Sequence, residues 1–253
     1  MFDKSKLIIL VTGTNTKPYD KNWKECESTW IPELRKLGYS VKVAIGIPSL
    51  TNYYMVDGDI IYFRADDGKD GLVDKSVQLP IKWILEETDY EYYFRIDSDS
   101  FVAPKRFESM LNENFEKYLD VDYMGCSIPV DLWWDKLPTT YFVNMDGVYA
   151  SGCAYFISKK AMILAHKDMR VTDVKELQWD DLVLGRALWE NDIALLHDSR
   201  ILLHSKYNVG FTHPNRPMYD IAQENSFLAI QHYMNGHMEE VMVSLGYIKT
   251  KTK

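Results

Sequence analysis

Asp97 and Asp99 stand two residues apart, directly behind the strand-like run Tyr92-Tyr93-Phe94-Arg95-Ile96 and ahead of Phe101-Val102. Read as extended chain, residues two apart share a face, so both carboxylates can point into one crevice. Like charges that close repel unless a cation lies between or beside them. An oxygen-preferring divalent ion, Mn²⁺ or Mg²⁺, fits that donor set. Such an ion can bridge the two phosphates of a nucleotide diphosphate and relieve charge as that group departs. The plain alternative is a solvated acidic turn, because a D-x-D triplet alone is common.

The elements around the pair decide between these readings. Leu7-Ile8-Ile9-Leu10-Val11 reads as a buried strand that ends in Thr12-Gly13-Thr14-Asn15-Thr16. A helix is expected over Trp23 to Leu37, stopped by Gly38, then strands over Val41–Ile45 and Ile60–Phe63. Leu72 to Glu87 reads as a helix that Pro80 kinks or delays. Tyr92–Ile96 is then the fourth strand. Strands alternating with helices imply parallel pairing in a layered α/β domain. Ligands of such sheets collect beyond the carboxyl ends of the strands, where Thr12–Thr16 and Asp97–Ser100 both fall. Farther on, Ala154–Ile157 reads as a strand entered through Tyr149–Cys153. Helices are expected over about Asp181–Asn191 and Asn225–Leu245. With no repeat, low-complexity tract or Pro/Gly/Ser linker in the 253 residues, one domain over 1–253 is the simplest division.

Bulk properties remove several function classes. The net charge of −8 argues against general nucleic-acid binding, which needs a basic surface to displace counterions. The apolar stretch Leu7–Val11 is too short for a signal core or a spanning helix, so no signal peptide or membrane anchor is expected. Three widely spaced cysteines, Cys26, Cys126 and Cys153, make neither a disulfide framework nor a four-cysteine zinc site. They read as buried reduced thiols of a cytoplasmic protein.

Several spacings together resemble the fringe and β-1,3-galactosyltransferase group of inverting enzymes with a GT-A fold. Asp67, Leu72 and Lys75 match that family's D-x-Y-x-N-L-T-x-K segment, with Lys69, Gly71 and Val73 at the Tyr, Asn and Thr positions. Trp83 follows at the expected distance. Arg95 through Val102 is similar to the lysine-led D-D-D-x-F-V. Tyr149 through Ser158 resembles Y-x-S-G-x-G-Y-x-x-S, and Asp180 through Gly185 the acidic E/D-D-V-x-x-G. The match runs in the family's order from about Trp23 to His204.

The resemblance implies a single Rossmann-like GT-A domain, its mostly parallel sheet flanked by helices. About 1–100 would hold the nucleotide, and about 101–253 the acceptor and a C-terminal helix. It further implies transfer of a hexose or N-acetylhexosamine from a UDP-sugar to a glycan acceptor. Asp97 and Asp99 would lie on the metal and donor diphosphate, with Asp99 preferred as direct ligand and Ser98 between them. Thr12, Gly13 and Thr14 would sit by the nucleotide, and Asp67 and Lys75 would line the donor side. Asp181 would be the general base, with Ser151, Gly152 and Asp180 on the acceptor side. Acidic residues in a first helical turn are also favoured as caps and by the helix dipole. The family's closing F-H-S-H-like segment corresponds to Leu203-His204-Ser205-Lys206. His204 is the preferred third ligand and His213 the reserve, while Lys206 takes a histidine position.

Trp133 and Trp134 are adjacent and flanked by charges, so both cannot easily enter one core. They suit a stacking platform for an acceptor sugar, or one buried and one rim-exposed indole. Trp23, Trp30 and Trp83 read as core. Two other functions fit a D-x-D behind a strand: a phosphatase of the haloacid dehalogenase type, and a noncatalytic sugar-binding protein of the same fold. The phosphatase motif usually lies near the start of the chain.

Overall fold

A computed structural model of the chain describes residues 1–68, 71–118, 120–129, 148–169, 179–202, 230–231 and 238–247. Its first strand, β1 (Leu7–Thr12), is buried along its whole length. Leu7, Ile9 and Val11 enter one apolar layer while Ile8 and Leu10 enter the other. That two-sided burial is why the run is continuously hydrophobic instead of alternating.

Beside β1 lie β2 (Ser40–Gly46) and β5 (Tyr92–Asp97), both parallel to it. β4 (Ile60–Phe63) extends the parallel set beyond β2, and β3 (Tyr54–Asp57) caps that edge as an antiparallel hairpin partner. Gly58, at φ 57°, supplies the left-handed turn between β3 and β4. The Asp57-Gly58 dipeptide was the signal for this hairpin, so the D-x-D strand is the fifth, not the fourth.

On the other side of β5, β8 (Val148–Ser158) runs antiparallel, followed by β7 (Tyr123–Pro129) and β9 (Leu196–His197). The order of the eight strands is β3-β4-β2-β1-β5-β8-β7-β9. A second, three-stranded sheet joins β10 (Ile201–Leu202), β11 (Ile230–Gln231) and β6 (Phe101–Val102).

Helices cover both faces of the main sheet. Instead of one helix over Trp23–Leu37, there are two, α1 (Asn22–Ser28) and α2 (Ile31–Lys36), because Pro32 occupies the first turn of the second. Gly38, at φ 92°, does stop α2. The expected helix around Pro80 is a wide turn over Asp74–Gln78 that leads into α3 (Leu79–Glu87). Pro80 sits in the first turn of α3, where its missing N–H costs nothing.

Next come α4 (Pro104–Lys117) and α5 (Lys159–Asp168), the latter capped by the Ser158 hydroxyl accepting from the Ala161 amide at 3.1 Å. The acidic pair opens α6 (Asp180–Trp189), and α7 (Met238–Ser244) is the last helix described. The continuous helix expected over Asn225–Leu245 is corrected by β11. The pair Ile230-Gln231 takes extended backbone because it completes the small sheet against β6 and β10.

Trp30 and Trp83 are buried as expected, whereas Trp23 only packs against the core from its rim. Cys26 and Cys153 are buried free thiols and Cys126 is half-buried. Among the described residues no helix is long and apolar enough to cross a membrane.

Candidate active site

At the carboxyl end of β1, Thr12 lies in register with Ala44 of β2 on one side and Asp97 of β5 on the other. The loop after β1 and the D-x-D segment are therefore lateral neighbours, as the open-sheet rule requires. Gly13 donates its amide to the Ala44 carbonyl at 2.9 Å. A Cβ there would fall 2.9 Å from Val43 Cγ1 and 3.2 Å from Trp23, so only glycine lets the chain pass.

Asp67 organises this end of the sheet. Its carboxylate accepts from the Thr14 hydroxyl at 2.9 Å, the Asn15 amide at 2.6 Å and the Gly46 amide at 3.1 Å. Lys75 Nζ approaches the same carboxylate at 3.2 Å and donates to the Asp67 and Gly13 carbonyls at 2.6 and 3.2 Å. Burial lowers the pKa of this ammonium, and Asp67 opposes the effect. Thr12, Gly13, Thr14, Asp67 and Lys75 thus form one cluster. Within it Asp67 and Lys75 spend their polar atoms on the loop.

Asp97 ends β5, and the Ser100 amide donates back to the Asp97 carbonyl at 3.0 Å. The pair therefore sits on a tight turn, not on the extended stretch that spacing alone implied. The chain has to reverse here to feed β6 into the second sheet. Cys26 Sγ donates to the Ser98 carbonyl at 3.1 Å from below, and Ser100 Oγ donates to the Cys153 carbonyl at 3.3 Å. The turn is thus anchored to α1 and β8.

The link from this turn to the acidic pair is Arg95, a buried residue the sequence reading did not assign to the site. Its Nη2 lies 2.7 Å from Asp97 Oδ1 and 2.8 Å from Asp180 Oδ2. The Tyr155 ring lies 5.7 Å from its guanidinium carbon. Burial works against the charge, but Asp180 and Asp97 more than offset it and keep the group protonated. An arginine in a strand buried on both faces needs carboxylate partners, and that was the signal available in the sequence.

Asp180 also accepts from the Ser76 hydroxyl at 2.9 Å, so its oxygens face the protein interior. Asp181 is half-buried and differently placed. Its Oδ2 accepts from the Gly152 amide of β8 at 2.9 Å, and its Oδ1 from the Leu182 amide at 2.8 Å. One side chain therefore satisfies a first-turn amide of α6 and ties that helix to β8. Burial raises the Asp181 carboxyl, and the adjacent Asp180 raises it further, to about 7, while the Gly152 amide and Arg95 pull the other way. Asp180 is raised as well, by its burial, against the Arg95 guanidinium. The two titrate as a pair that carries less than two full charges near neutrality. A carboxylate poised there can accept a proton from a hydroxyl.

Two glycines set the geometry. A Cβ at Gly152 would come 3.3 Å from both Arg95 Nη1 and Asp181 Oδ2, so the missing side chain leaves room for both groups to approach β8 here. At Gly185 a Cβ would fall 2.5 Å from Tyr149 Cβ, so α6 lies directly against β8. Ser151 is buried beside Gly152.

Two hard carboxylates at Asp97 and Asp99 suit Mn²⁺ or Mg²⁺ by donor chemistry, and the Asp97 side chain keeps a quarter of its surface open. Among the described residues no group of three or more His, Cys, Asp or Glu is assembled for a metal. The third-ligand candidates His204 and His213 lie outside the described residues, as do Lys206, Trp133 and Trp134. Leu202, two residues before His204, does share the small sheet with Phe101, two residues after Asp99.

Comparison with known proteins places this geometry in context. A family model described as Galactosyltransferase matches residues 28–199. A search of curated proteins finds no match. Among solved structures, the galactosyltransferase LgtC in complex with donor and acceptor sugar analogs superposes with a TM-score of 0.51. It is 12% identical, with 98% of this chain and 97% of that chain covered. A glycosyltransferase involved in glycosylation of the major capsid of PBCV-1 gives a TM-score of 0.49 at 11% identity, covering 96% of this chain and 100% of that chain. The α/β architecture, a mostly parallel mixed sheet flanked by helices, is that of GT-A glycosyltransferases.

Proposed function

We propose a reaction that starts from one premise: the chain belongs to the galactosyltransferase family. It is an enzyme of that family, and in our reading it moves galactose from UDP-galactose to a hydroxyl of a glycan acceptor with inversion at the anomeric carbon. The phosphatase alternative is overturned by the family match, and the noncatalytic one gives way with it. The chain works as one domain, with about 1–100 on the nucleotide and about 101–253 on the acceptor.

The observation that carries the mechanism is the placement of Asp181. Inversion needs a base on the face of the sugar opposite the departing diphosphate. Asp181 comes from α6 and is fixed by the Gly152 amide, whereas the D-x-D turn comes from β5. Donor grip and base therefore sit on different elements. Asp181 takes the proton of the acceptor hydroxyl as its oxygen attacks the anomeric carbon and the bond to the diphosphate breaks. The Thr12–Thr16 loop, tied down by Asp67, lies beside the nucleotide. Asp97 and Asp99 would hold a divalent cation, which when bound supplies positive charge to the leaving diphosphate.

The test is a thermal-shift screen of nucleotide sugars with and without Mn²⁺, because a ligand that binds the folded state raises apparent stability. UDP-galactose should raise the melting temperature only with the metal. Equal shifts with and without Mn²⁺ would refute the cation assignment, and no shift with any UDP-sugar would refute the donor.

A further inference from the structure

Arg95 does more than neutralise its neighbours. One nitrogen, Nη2, serves both Asp97 and Asp180, at 2.7 and 2.8 Å. The side chain is 1% exposed, and its Nε and Nη1 have no hydrogen-bond partner among the described residues. Nη1 and Asp181 Oδ2 both lie 3.3 Å from the position a Cβ would take at Gly152. The Tyr155 ring, on β8, lies 5.7 Å from the guanidinium carbon. The arginine thus spans β5, β8 and the head of α6, the three elements that carry the two halves of the site.

We propose that Arg95 is a positioning residue of the transfer reaction: its single buried guanidinium holds the donor-side Asp97 and the Asp180–Asp181 head of α6 at a fixed separation. The inference rests on the proposed galactosyl transfer. The physical warrant is that reacting groups on separate elements lose rate steeply when their separation drifts, even where binding survives. An arginine suits this task because its guanidinium stays charged when buried, so one nitrogen can hold both carboxylates.

The experiment measures UDP release from UDP-galactose with Mn²⁺, with water alone and with a panel of glycans whose hydroxyls take the galactosyl group, as kcat and donor KM, for the full chain and three variants. Arg95→Met should lower kcat by about 10²-fold while donor KM changes by less than about threefold. Arg95→Lys, which keeps a cation in reach of the carboxylates, should recover at least about tenfold of that loss. Arg95→Met/Asp180→Asn removes the cation together with its most buried partner, so it folds where the single variant fails, and its kcat should stay low. The inference is overturned by Arg95→Met turning over near the wild-type rate, by a lysine that rescues nothing, or by a double variant that regains full kcat. A wild-type chain that releases no UDP with any of the glycans or with water overturns the galactosyl-transfer reading and this inference with it. Near-normal variants of an active wild type overturn only the role of Arg95.

Discussion

Gly185→Ala tests whether α6 sets the base by its depth against β8. The added Cβ would fall 2.5 Å from Tyr149 Cβ, an atom that no rotamer change can move aside. Carbon atoms pack at about 3.5 Å or more, so helix and strand have to part by about 1 Å. The Gly152 amide to Asp181 bond, now 2.9 Å, would stretch beyond about 3.5 Å and cease to orient the carboxylate. Overpacking of this kind costs about 1–3 kcal/mol, while alanine in place of a helical glycine returns up to about 1 kcal/mol. The melting temperature should therefore fall only by a few degrees. A base displaced by about 1 Å costs about 10²-fold in rate, so kcat carries the effect. Steady-state kinetics with UDP-galactose, beside calorimetric titration of UDP and Mn²⁺, separates the two. UDP binding should persist, and Gly185→Ala should add little in an Asp181→Asn background, because both act on the same group. Full kcat in a folded Gly185→Ala chain would refute the positioning of Asp181 by this contact.

Other perturbations follow from the same geometry. Asp181→Asn should keep UDP-galactose binding and lose transfer by about 10²-fold or more; near-normal turnover removes Asp181 as base. The rate should fall as pH drops through about 7, because only the ionised Asp181 accepts a proton, and the variant's residual rate should lack that limb. The stability sign is opposite to that of a salt-bridged carboxylate. A raised folded pKa contributes stability that is present below the ordinary value of 3.8 and is lost as pH rises through about 7. The melting temperature of Asp181→Asn minus that of wild type should therefore grow across that window. Asp97→Ala or Asp99→Ala should abolish metal-dependent UDP-donor binding by calorimetry; unchanged binding refutes the cation site. Asp67→Ala strands the buried Lys75 and frees the Thr14 and Asn15 loop, so chemical denaturation should show a loss of about 3 kcal/mol or more.

β1 was legible because it is buried on both faces and reads as an unbroken apolar run, while β2 and β5 stayed recognisable as largely apolar stretches interrupted by Lys42 and Arg95. Position of the D-x-D pair and of Asp181 followed from motif order along the chain. What spacing could not convey was the local backbone and the cross-chain partners. Asp97–Ser100 forms a turn because the next strand belongs to another sheet, and that sheet is completed by residues more than a hundred positions later. Arg95 went unassigned because its meaning lies in Asp180, which the sequence holds far away. Ile230-Gln231 was read as helix because its neighbours suit one, and only the exposed edge of β6 makes the extended form favourable. Pro32 was a readable break in the first helix that the longer apolar period concealed.

The three-stranded sheet gives the carboxyl-terminal part of the chain a hold on the donor end. Ile230 and Gln231 hydrogen-bond to the two residues that leave the D-x-D turn, and Met238 sits under Cys26, whose sulfur supports that same turn. Shortening the protein from its tail would therefore unfasten the nucleotide-diphosphate grip before touching the base on α6. A chain clipped ahead of residue 230 should resemble an aspartate knockout at the turn, even though every proposed catalytic carboxylate is still present.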